Sequence, residues 1–86
     1  MSDTTKDVVM RAVAEVFKPQ NSPALSEIVK KPDFGFKELT DSSLLFVEFC
    51  MAVEESLGVE IEFDDLMTHT TLSTFVAWLE QQIDSA

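Results

Sequence analysis

The residues best suited to chemistry are Asp41-Ser42-Ser43-Leu44. They place two hydroxyls where an amphipathic segment begins, and that segment then carries Glu48, Glu54 and Glu55 with no basic residue. The leading N–H groups of a helix lack partners within it, and its N-terminal end carries roughly half a positive charge. A phosphoester on a first-turn serine is electrostatically favoured at such a place. The chemistry implied is covalent modification of a serine. Paired carboxylates are plentiful, yet none is matched with a nucleophile or base in a pattern that suggests an enzyme.

The other reactive residue types read as structural. Cys50 falls on the apolar side of its segment and is expected to be a buried thiol. His69 is the only histidine, so a cap-adjacent or half-buried role is expected for it. Asp64-Asp65, with Glu60 and Glu62 nearby, lacks the glycine and the ligand spacing of a calcium-binding loop, and no metal site is expected. Trp78 lies at the margin of an apolar stripe and is expected to pack.

The elements that position these residues follow from hydrophobic spacing. Val9, Ala12, Val13 and Val16, widened by Val8 and Phe17, predict a first amphipathic helix from about Thr4 to Lys18, ended by Pro19. The stretch from Pro19 to Thr40 holds all three prolines and is long for a plain connection, so order of its own is expected there. Ser22-Pro23 followed by Leu25, Ile28 and Val29 predicts a short capped helix stopped by Pro32. Phe34, Phe36 and Leu39 are expected to pin the rest of that stretch to the core.

A second long helix is predicted from about Ser43 to Leu57, with Gly58 as its left-handed stop. At about 100° per residue, Phe46, Phe49, Cys50, Val53 and Leu57 share its core side. Leu44, Val47, Glu48, Met51, Glu54 and Glu55 collect in an arc that starts at Ser43. Apolar groups ringed by carboxylates are the composition of a transient docking surface. Val59 to Glu62 reads as an extended link, Phe63 to Met67 as one or two helical turns, and Leu72, Phe75, Val76, Leu79 and Ile83 as a last helix capped by Thr70 or Thr71. Phe46, Phe49, Phe63 and Phe75 are the aromatic residues available to fill the interior. The fold class is all-α, a bundle of three principal helices plus short ones.

Composition narrows the partners. The 86 residues form one expected domain, 1–86, with 45% apolar residues and a net charge of −10. All six basic residues lie at or before Lys37, and eleven acidic residues and no basic ones lie beyond it. Such a surface repels nucleic acid and anionic membrane and attracts proteins with Lys/Arg-rich faces. One cysteine excludes an internal disulfide framework. No secretory signal pattern is visible and no apolar run approaches the roughly 20 residues of a membrane span, so a cytoplasmic monomer is expected.

Ser43-Leu44, Val47-Glu48-Phe49, Met51-Ala52-Val53-Glu54-Glu55, Glu60-Ile61 and Thr70-Thr71-Leu72 together resemble the acyl carrier protein family. The resemblance is close over about the last 50 residues and one of pattern only in the first helix. It implies a four-helix bundle with a long loop after helix one and a short third helix. It also implies a 4′-phosphopantetheine arm, attached by a phosphopantetheinyl transferase to the serine of an Asp-Ser-Leu motif and carrying acyl groups as thioesters. The matching serine is Ser43, because the family's valine and glutamate follow it by four and five residues. Ser42 occupies the position of the usual aspartate, which bears on priming; Asp41 is a substitute for that aspartate, and Ser42 remains a second candidate for attachment. Leu45 replaces an acidic residue of better-known members, which implies a specialised partner set. The partner-binding residues implied are Asp41, Leu44, Val47, Glu48, Met51 and Glu55, facing acyl-transferring or synthase enzymes with basic patches. Two other readings stand beside the acyl carrier of fatty-acid, polyketide or related lipid biosynthesis: an unmodified acidic helical adaptor that binds through the second long helix, and a peptidyl carrier.

Overall fold

The computed structural model describes residues 2–85; Met1 and Ala86, the ends of the expected domain, lie outside them. Among the described residues there are five α-helices: α1 (Ser2–Val16), α2 (Pro23–Val29), α3 (Ser43–Leu57), α4 (Phe63–Thr68) and α5 (Leu72–Ser85). Short 3-10 turns at Pro19–Asn21 and Phe36–Glu38 interrupt the long connection. α1, α3, α4 and α5 make the four-helix bundle with a short third member, and α2 is a satellite within the loop after helix one. α1 packs on α3 and α5, and α4 packs on α3.

The helix ends have local causes. α1 stops at Val16, two residues before the expected Lys18, because the residue before a proline is disfavoured in the α region. Lys18 instead takes a left-handed conformation, φ 51°, and Pro19 opens the first 3-10 turn. Ser22 caps α2 with its hydroxyl, which accepts from Leu25 N–H at 3.4 Å, and Pro23 occupies the first helical position. Gly58 at φ 70° ends α3, a conformation glycine adopts without the Cβ penalty of other residues. At the start of α5, Thr71 and Thr74 each donate a backbone N–H to the other's Oγ1 at 3.3 Å, so Thr71 is the cap.

The core is aromatic at its centre. Phe36, Phe49 and Phe75 are fully buried with ring centroids 5.1 to 5.7 Å apart, and Phe17 meets Phe49 at 5.4 Å. Val9, Val13, Val53, Leu66 and Leu79 close around them. Phe63 departs from the expectation of an interior position: it is 36% exposed at the start of α4. Phe34 and Phe36, delivered from the connection, are buried as expected.

Residues 33–36 lie along residues 70–73. Phe36 N–H donates to Thr70 O at 2.8 Å and Leu72 N–H to Phe34 O at 2.9 Å. Asp33 then caps α5 from across the fold, accepting from Ser73 N–H at 2.8 Å and from Ser73 Oγ–H at 2.7 Å. The segment that leads into α3 is thereby fastened to the last helix.

Candidate functional site

The start of α3 is fixed by two buried anchors and two hydroxyl caps. Leu39 and Phe46 are buried on either side of it. Between them, Ser42 N–H donates to Thr40 Oγ1 at 3.1 Å, and Ser42 Oγ accepts from Leu45 N–H at 3.3 Å. Phe46 N–H closes the first helical bond on Ser42 O at 3.2 Å. Ser42 is therefore the N-cap, half-buried and with its hydroxyl engaged.

Ser43 is the first helical residue and is exposed. Its hydroxyl has no hydrogen-bond partner among the described residues, and the N–H groups of Ser43 and Leu44 are the leading donors left open by the caps. The side chain opens onto a groove of about 300 Å³ lined by Lys37, Thr40, Asp41, Ser43, Phe46, Phe63 and Met67. Of these, Asp41 was anticipated as a partner-binding residue, and the groove brings it beside Ser43, off the α3 face. Lys37, Phe63 and Met67 were not anticipated. The one linear signal for Lys37 is that it is the last basic residue, six before Ser43.

Outward from the serine, Leu44 is 69% exposed, Met51 59% and Val47 40%, and Glu48 and Glu55 are exposed beside them. Glu54 has a different position: half-buried, it accepts Ile61 N–H on Oε2 at 3.0 Å and holds the link after α3 in place. Large apolar side chains left in water beside carboxylates form a surface that another protein can cover.

Nothing at this site activates a nucleophile. Cys50 lies on the buried side of α3, where burial pushes its thiol up to about 11, with Asp65 and Glu54 adding to the effect, so it is inert at neutral pH. His69 caps the end of α4, its Nδ1–H donates to Asp65 O at 2.9 Å, and its ring stacks on Trp78 at 5.4 Å. No group of three or more His, Cys, Asp or Glu side chains among the described residues is arranged to hold a metal ion. No described helix is long and apolar enough to cross a membrane. The arrangement offers an accessible hydroxyl, open N–H donors and an adjoining groove, which suits it to receive a phosphoester from another enzyme.

Among curated proteins and among solved structures, no match to the chain was found. A family model described as the phosphopantetheine attachment site matches residues 7–79, spanning α2, α3 and α4 whole and parts of α1 and α5. The chain therefore belongs to the phosphopantetheine-attachment family: it is a carrier and not a catalyst, and its cofactor is a covalently attached 4′-phosphopantetheine.

Proposed function

We propose that Ser43 is the tether, and that this carrier holds acyl intermediates as thioesters and presents them to enzymes of fatty-acid, polyketide or related lipid biosynthesis. The observation that carries the reading is the continuity of an exposed, unbonded Ser43 with the apolar and acidic face of α3. Residues 1–86 act as a single carrier domain, monomeric between encounters and working in the cytoplasm, where its one cysteine stays a thiol.

When bound, the cofactor supplies a terminal thiol whose thioester is activated for acyl transfer. The chain's own residues do the rest. Ser43 Oγ sets where the arm begins, and the open N–H groups at the start of α3 favour a phosphodiester there. Asp41, Glu48 and Glu55 attract partner lysines and arginines, while Leu44, Val47 and Met51 fill shallow apolar depressions on the partner. Charge steering around a small apolar centre gives fast arrival and short residence, which a shuttle requires. The partners are a phosphopantetheinyl transferase, which primes the chain, and acyl-transferring or synthase enzymes with basic patches.

The test is intact mass after incubation with coenzyme A and a broad-specificity transferase. Wild type and Ser42→Ala are expected to gain one phosphopantetheine, and Ser43→Ala none. Gain of the arm by Ser43→Ala overturns the tether assignment. Failure of the wild type to gain it favours an unmodified adaptor.

A further inference from the structure

Lys37 is the one cation in the groove that Ser43 opens onto. It stands in the middle of the 3-10 turn Phe36–Glu38, between the buried Phe36 and Leu39, so its backbone is fixed while its side chain reaches solvent. The neighbouring lysines have partners: Lys30 pairs with Glu27 at 3.3 Å and Lys31 with Glu38 at 3.4 Å. Lys37 has no ion pair among the described residues.

The nearby carboxylates do not account for it. Glu38, next in sequence, gives Oε1 to Lys31 and accepts Gly35 N–H on Oε2 at 2.7 Å, an arrangement that holds its carboxyl below its ordinary value, through the Gly35 bond first and Lys31 second. Asp41 lines the same groove but does not pair with Lys37. A lysine kept free beside a modifiable hydroxyl, in a chain otherwise acidic from residue 38 onward, is a cation without a counter-ion.

We propose that Lys37 binds the phosphodiester of the arm and seats the arm in the groove along Phe46, Phe63 and Met67. This inference rests on Ser43 as the tether. A phosphodiester is a compact anion, and an ammonium with three donors on a flexible stem suits it as a point charge. The exposed Glu48 and Glu55 of α3 and Asp41 in the groove repel the same phosphate, and Lys37 is the groove cation that can offset them. Beyond the polar side chains of the groove, Phe63, 36% exposed, and the half-buried Met67 offer apolar surface that the methyl and methylene groups of pantetheine can cover. Lys37 is thus a positioning residue. It holds the arm at rest against the carrier, and a partner with its own phosphate-binding cation releases it.

The test compares amide spectra of unloaded and loaded protein for wild type, Lys37→Ala and Lys37→Arg, with loading verified by intact mass. Wild type is expected to show arm-induced shifts at Phe63 and Met67. An exposed ion pair is worth little, so Lys37→Ala lowers the seated population about two- to fivefold and does not abolish it. Lys37→Arg retains the shifts, and molar salt makes the wild type resemble Lys37→Ala. Unloaded spectra that coincide away from residue 37 show that the variants fold alike. Arm-induced shifts unchanged by Lys37→Ala overturn the role of Lys37 while leaving the tether intact. Absence of a mass gain in the wild type, or a gain in Ser43→Ala, overturns the tether and this inference with it.

Discussion

With Ser43 as the proposed tether, Ser42 falls at the aspartate of the Asp-Ser-Leu motif that the chain resembles, and its hydroxyl performs the capping that a carboxylate would perform there, accepting from Leu45 N–H at 3.3 Å. Removing it leaves that amide without an acceptor at a half-buried helix end. Ser42→Ala is expected to lower the unfolding free energy by about 1 kcal/mol, the usual cost of a lost N-cap. Ser42→Asp keeps an acceptor and adds a negative charge at the positive end of α3, so its stability is expected to equal or exceed that of the wild type. Urea melts of the three proteins decide the matter; an Ala variant as stable as the wild type removes Ser42 from the cap. The two hydroxyls were legible from the sequence because capping is local: the signal and its effect lie within three residues. Their division of labour was not, since adjacent serines differ only once the backbone fixes which one precedes the helix and which one begins it.

At the scale of elements, the connection from Asp33 to Leu39 is held by bonds that join distant parts of the chain. Ser73 lies 40 residues beyond Asp33, yet its hydroxyl first, and then its N–H, hold the Asp33 carboxyl below its ordinary value of 3.8. A carboxyl whose value is lowered by folding binds its proton more readily in the unfolded chain. Its stabilising contribution is therefore complete above pH 3.8, shrinks as the pH falls below it and is lost below the folded value. Glu38, lowered by Gly35 N–H, behaves alike from its ordinary value of 4.5 downward. Acid titration of the wild type is expected to loosen residues 33–38 from the start of α5, read as a change in Trp78 fluorescence near Phe75. Asp33→Asn is expected to be less stable at neutral pH and to flatten the acid limb; an unchanged limb overturns the assignment. None of this was visible along the sequence, where Asp33 is one more acidic residue after a proline. The helices themselves were legible because their apolar spacing and caps are local, as were the stop at Pro19 and the anchoring by Phe34 and Phe36; the last two residues expected in α1 fall outside it, and Phe63, expected in the interior, is 36% exposed.

For the whole molecule, charge is distributed unevenly between the two halves of the chain. Residues 1–37 hold six basic and five acidic residues, and residues 38–86 hold eleven acidic residues and no basic one. The molecule spans 38 × 25 × 20 Å. At about 10 mM salt the screening length is roughly 30 Å, so a basic partner feels nearly all of these charges at once; at physiological salt it is about 8 Å, and only the α3 face near contact counts. Association with the priming transferase is therefore expected to slow about tenfold across that range, the modest end of electrostatic steering, while dissociation changes little. Glu48→Gln and Glu55→Gln reduce the association rate and its dependence on salt, because they remove charges that act before contact. Leu44→Ala and Met51→Ala are expected to act on the other rate: if the proposed docking face is used, these side chains, 69% and 59% exposed in the free carrier, become buried on binding, so their loss speeds dissociation. Stopped-flow measurement at several salt concentrations separates the two effects. Association indifferent to salt would remove steering from the account, and slow association caused by Leu44→Ala would mean that apolar contact, and not charge, limits the encounter.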